Sequence, residues 1–130
     1  MQEVGEITLS LPAKSENLGT VRRAVADFAA SLGVDDATVS DVRLAVNEAC
    51  SNVVRHAYKR DDPGPMKVEA RPISGYLVVV VQDSGRGLLR ASDDPGSGLG
   101  LRMASAVSNS FEVRQNASGT EVRLAFPLSV

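Results

Sequence analysis

A chain of 130 residues has room for one domain around a single core, and residues 1–130 are expected to form one unit. Apolar residues make up 43% and charged residues 23%, ordinary values for a soluble globular protein. A net charge of −2 gives no electrostatic reason to expect direct nucleic-acid binding or an anionic membrane surface as partner.

The chain opens on MQEVGEITLSLPA, which is acidic and alternating where a signal peptide would be basic and apolar. Period-two alternation over 6–11 predicts a strand that Pro12 stops. Ser15 reads as the N-cap of a helix over 16–32, in which Leu18, Val21, Val25, Phe28 and Ala29 recur at helical spacing before Gly33. Asp35 or Asp36 starts a longer helix reaching about residue 58. Its apolar stripe is Val39, Val42, Val46, Ala49, Cys50, Val53 and Ala57. Cys50 is the single cysteine, so no internal disulfide can form and a reducing cytoplasm is expected.

Strands follow over 66–71 and 76–82, joined by a Ser74-Gly75 hairpin. The second contains Leu77-Val78-Val79-Val80-Val81, the longest wholly apolar run in the chain. It is far too short for a membrane span and reads as a strand buried on both faces in mid-sheet. A glycine-punctuated stretch from Asp83 leads to a helix over 101–107, then to closing strands over 111–115 and 120–126 around Ala117-Ser118-Gly119. Segregated helices and hairpins predict an α+β two-layer sandwich: a mixed, mostly antiparallel sheet with helices on one face.

Three patterns carry chemistry. Glu48 and Asn52 stand four apart on the long helix, so they share a face. The solvated side of a helix would also carry such a pair. A carboxylate that accepts protons beside an amide oxygen suited to Mg²⁺ is the sharper possibility. In the second pattern the apolar strand delivers Asp83 to its own end, followed by Gly85 and Gly87. These residues suit a tight turn, or a close backbone approach to a ligand whose amine donates to the aspartate. In the third, Gly98, Leu99 and Gly100 open a helix, where free backbone N–H groups suit phosphate. This is neither a Walker loop nor a dinucleotide-binding fingerprint, since the required lysine and glycine spacings are absent.

In their order these motifs resemble the boxes of the GHKL, or Bergerat-fold, ATPases. Glu48-x-x-x-Asn52 looks like the N box, Asp83-x-Gly85-x-Gly87 the G1 box and Gly98-x-Gly100 the G2 box, while Gly119-Thr120 matches a further Gly-Thr pair. Within that superfamily LAVNEACSNVVRHAY and GTEVRLAFP resemble the bacterial anti-sigma factor serine/threonine kinases, across nearly the whole chain. The resemblance implies ATP with Mg²⁺. Asp83 would bind the adenine amine with help from Thr120, while Gly85 and Gly87 let backbone approach the base. Gly98, Leu99 and Gly100 would hold the phosphates, Asn52 would ligate Mg²⁺, and Glu48 would be the catalytic base. Implied partners are a sigma factor and a STAS-domain antagonist, with the chain a cytoplasmic homodimer.

Arg55, one turn beyond Asn52, would add positive charge near the phosphates or stand in solvent. His56, the sole histidine, reads as a packing residue, because the chain has no separate helical segment to present a phosphoacceptor histidine. Between Gly87 and Gly98 lie ten residues, LLRASDDPGS, with Pro95-Gly96 where relatives often place a basic residue. Arg90 or Arg102 would have to substitute. This short acidic stretch motivates an alternative function, a nucleotide-responsive partner-switching module with little or no kinase activity. A detached ATPase domain serving a separate histidine-bearing protein is a third option.

Overall fold

The run from Leu77 to Val81 has no polar side chain to turn toward water, and its strand lies at the centre of a sheet. The computed structural model of the chain describes residues 5–59, 61–85 and 97–128. Five strands, β1 (Ile7–Pro12), β2 (Pro65–Ile73), β3 (Tyr76–Asp83), β4 (Ser110–Asn116) and β5 (Gly119–Pro127), form one sheet in the order β1-β2-β3-β5-β4. Every neighbouring pair is antiparallel, so the expected mixed sheet gives way to a wholly antiparallel one among the described residues. Short loops explain two of these pairings, because a hairpin can join only antiparallel strands. Between β2 and β3, Ser74 (φ 51°) and Gly75 (φ 87°) both take the left-handed conformation that a two-residue hairpin of matching twist requires.

Three helices accompany the sheet: α1 (Leu18–Ser31), α2 (Asp36–His56) and α3 (Ser97–Val107). Ser15 is not the N-cap of α1. It begins a separate 3₁₀ turn, Ser15–Asn17, in which Asn17 donates its side-chain amide to the Pro12 carbonyl (2.8 Å) and leaves α1 without a side-chain cap. Asp35 does cap α2, its Oδ1 accepting the Thr38 amide at 2.8 Å. Hydrogen bonding to the charged form, from the Thr38 side chain first and its backbone amide second, holds the Asp35 carboxyl below the usual aspartate range. Helix α3 starts four residues earlier than the expected 101, so Gly98, Leu99 and Gly100 make its first turn and do not precede it.

The core lies between the helices and one face of the sheet. Val21, Val25 and Ala29 of α1 meet Val42, Val46, Ala49 and Cys50 of α2 over Val68, Leu77, Val79, Val81, Leu124 and Phe126. Each of the larger side chains contributes roughly 1.5–3 kcal/mol when fully buried. Val78 and Val80 point to the opposite face. They are nevertheless 9% and 6% exposed, because the register sets Val78 beside Arg71 and Val80 between Glu69 and Arg123, whose aliphatic stems flank them.

Candidate functional site

Strand β3 carries Asp83 to the rim of the sheet, opposite Met66 on β2 and Thr120 on β5. The Gly85 amide turns back to donate to Asp83 Oδ1 at 2.9 Å. Burial raises the Asp83 carboxyl above the usual aspartate value, and backbone hydrogen bonds from Gly85 and Thr120 pull partly against it. The result is a half-buried acceptor with one oxygen tied to its own turn and capacity left for an external donor.

Two glycines make this corner possible. Gly119 has φ +141°, and a Cβ there would come within 1.9 Å of the Asp83 carbonyl oxygen. A Cβ on Gly85 would come within 2.0 Å of the Ala57 carbonyl oxygen. Strand β5 is therefore pressed against the end of β3, and the turn after β3 against the end of α2. Thr120 is buried beside them, its Oγ1 accepting from Gln115 Nε2 at 3.3 Å.

Glu48 and Asn52 stand one turn apart on α2, the helix whose C-terminal end meets this corner. Glu48 is half-buried. Asn52 is 3% exposed, and its Oδ1 has no hydrogen-bond partner. A buried amide oxygen left without a donor normally costs about 1–3 kcal/mol. It fits a hard cation, which takes oxygen ligands. The described residues hold no cluster of three or more His, Cys, Asp or Glu side chains able to cage a metal. A cation at Asn52 would thus draw its remaining ligands from phosphate and water, as Mg²⁺ does with nucleotides.

Helix α3 packs on α2 and offers the backbone of Gly98, Leu99 and Gly100 as its first turn. The leading N–H groups of a helix have no intrahelical acceptor and suit an anion. Gly87 lies outside the described residues, as do Arg90, Asp93, Asp94 and Pro95. Arg102 is exposed on α3. Arg55 is also exposed and opens onto a cleft of about 770 Å³ at the C-terminal end of α2, shared with Lys14, Ser15, Glu16, His56 and Lys59.

One residue of the corner went unread in the sequence. Tyr58 Oη accepts the Ser84 amide at 2.7 Å and donates to the Pro65 carbonyl at 2.6 Å. It follows directly on α2 in the run His56-Ala57-Tyr58, and neither spacing nor composition distinguishes it from an ordinary helix end.

A family model described as histidine kinase-like ATPase domain matches residues 11–126. The serine-protein kinase RsbW of Halalkalibacterium halodurans is 32% identical over 126 residues, covering 85% of this chain and 76% of that protein. The anti-sigma F factor of Clostridium botulinum is 34% identical over 83 residues, 64% of this chain and 58% of that protein. In other RsbW relatives the match covers 49% of the relative, so the chain spans about half the length of those proteins. Among solved structures, the RsbU and RsbW domains of Rv1364c from Mycobacterium tuberculosis superpose with a TM-score of 0.76. That match has 26% identity and covers 95% of this chain and 32% of the other.

Proposed function

From its membership of the histidine kinase-like ATPase family, to which this chain belongs together with the RsbW serine-protein kinases, we propose that it is an ATP-dependent protein-serine kinase and anti-sigma regulator. The single observation that carries the chemistry is the buried, unpartnered Oδ1 of Asn52, one turn from Glu48 on a helix that ends at the Asp83 corner. In this reading Asp83 accepts a hydrogen bond from the adenine amine, with Thr120 beside it; Gly85 lets the turn that carries Asp83 sit against the end of α2, and Gly87 gives the base room. The first-turn amides of α3, from Gly98, Leu99 and Gly100, hold phosphate oxygens. Asn52 holds Mg²⁺, which when bound supplies charge neutralisation to the phosphates. Glu48 takes the proton from the incoming serine hydroxyl as its oxygen bonds to the γ-phosphorus. The bond to the bridging oxygen then breaks and ADP departs. Positioning and charge account for most of such a transfer, so a sparse residue set is sufficient.

The substrate of this proposal is a serine on a STAS-domain antagonist, and the captured partner is a sigma factor. The name of the Clostridium botulinum relative supports the second assignment. The same family reading makes residues 1–130 one functional domain and the protein a cytoplasmic homodimer. No helix of the described residues is long and apolar enough to cross a membrane. The test is transfer of labelled γ-phosphate from ATP to the antagonist. Glu48→Ala is expected to lower the transfer rate by about 100-fold or more, the usual scale for a positioned base, while keeping ATP binding. Equal rates for the two proteins would remove Glu48 from the mechanism.

A second reading rests on the ten residues between Gly87 and Gly98, which place no basic residue directly before Ser97. In that reading the chain binds Mg-ATP and exchanges partners without transferring phosphate. Tight nucleotide binding with no phosphoserine on the antagonist would favour it.

A further inference from the structure

Tyr58 stands outside every role assigned above, yet it joins three segments that have to meet at the strand-end corner. A phenol has one hydrogen to give. The Ser84 N–H donates to Oη at 2.7 Å, so the hydroxyl hydrogen goes to the Pro65 carbonyl at 2.6 Å, and the bridge has a fixed polarity. The ring cannot swing aside toward β2, because it lies against Gly64, where a Cβ would sit 2.3 Å from Tyr58 Cε1. Ser84 lies between Asp83 and Gly85, and the Gly85 amide is the group that holds Asp83 Oδ1 at 2.9 Å.

A chain of contacts therefore runs from the first residue of β2 through the phenol to the Ser84 amide. One peptide further on it reaches the hydrogen bond that orients the Asp83 carboxylate. We propose that Tyr58 is a positioning residue for base recognition: by clamping the Ser84 amide it fixes the direction of Asp83 and so sets the preference for adenine over guanine. The inference rests on the nucleotide reading of the site and deepens it. Adenine presents an exocyclic N–H donor where guanine presents a carbonyl oxygen. An acceptor held in one direction pairs with the first and leaves the second facing a like dipole. A carboxylate free to turn away discriminates less.

Tyr58→Phe keeps the ring against Gly64 and deletes only the bridge. Three measurements on the full chain test the proposal. In the unliganded protein, hydrogen exchange of the Ser84 amide is expected to accelerate. By calorimetry, ATP is expected to bind about tenfold more weakly while GTP changes little, the scale of one neutral hydrogen bond. In the transfer assay KM for ATP is expected to rise with kcat at saturating ATP retained. Gly64→Ala, which displaces the ring and spares the hydroxyl, is expected to act in the same direction and carries the test should Tyr58→Phe fail to fold. Unchanged Ser84 exchange would overturn the proposal without any nucleotide. Faster exchange with the ATP-over-GTP preference intact would also overturn it, reducing Tyr58 to a fold strut. A parent chain that binds neither nucleotide would sink the site reading itself, a result distinct from both.

Discussion

At the residue scale, Asp83 sets a tension between stability and recognition. Burial lifts its carboxyl pKa in the folded chain above that of the unfolded chain. The folded state then binds the proton more tightly. The stability this group contributes is complete below the ordinary aspartate value and is lost as pH rises through the raised one. At neutral pH the ionised carboxylate is thus held at a cost to the unliganded fold. Asp83→Asn removes the charge, and its carbonyl can still accept the Gly85 amide. Unliganded Asp83→Asn is expected to melt at or above the parent at pH 7, with the gap closing as the pH falls through the raised value. Its melting shift with Mg-ATP is expected to disappear, because an amide turned for the base no longer offers a free carboxylate oxygen. Melting curves across pH, with and without nucleotide, check both halves.

At the element scale, the corner depends on where β5 begins. Gly119→Ala meets a left-handed φ of +141° and a carbonyl oxygen 1.9 Å from the new Cβ. We expect a loss of about 3 kcal/mol, combining backbone strain with overpacking, together with weakened ATP binding. Gly33, with φ +88° and nothing within 4 Å, supplies the control. Gly33→Ala is expected to cost about 1–2 kcal/mol for the conformation alone and to leave ATP binding unchanged. Urea midpoints and nucleotide titration separate the two.

Several elements were legible in advance because one residue type forced one arrangement. The Val-rich run had to be central, and Ser74-Gly75 had to turn. The motif residues could be named because Asp83, Gly85, Gly87, Gly98 and Gly100 follow one another in a set order and spacing. The start of α3 was not legible, since glycine and leucine carry no N-cap signal and the first turn of a helix can form without one. Ser15 misled for the related reason that its neighbour Asn17 spends its side chain on Pro12. Tyr58 stayed hidden because its partners, Pro65 and Ser84, use only backbone atoms, which no residue type in the sequence announces.

At the scale of the whole molecule, Cys50 offers a gauge of integrity. It lies in the core between α2 and its neighbours, and burial pushes its thiol up to about 12. A thiol reagent at pH 8 is expected to label it only when the domain opens, at a rate that climbs with urea alongside global unfolding. Mg-ATP, if it binds the folded state alone, is expected to slow labelling further. Rapid labelling in the absence of denaturant would contradict the burial.

The face of the sheet away from the helices has a different consequence. Lys67–Glu69 (3.6 Å), Glu112–Arg114 (3.6 Å) and Glu121–Arg123 (3.4 Å) pair two residues apart along single strands, and Arg71 meets Glu6 at 3.6 Å. Strands β2, β4 and β5 thus match charge along their own length, and Arg71 is matched by Glu6 just ahead of β1. A flat partner settling on that side would have to strip water from exposed pairs whose charges, among the described residues, are already matched. The charged veneer stops short of the β2–β3 hairpin, where Ile73 and Tyr76 are paired and exposed, so the apolar footing on this side is concentrated at that end of the sheet.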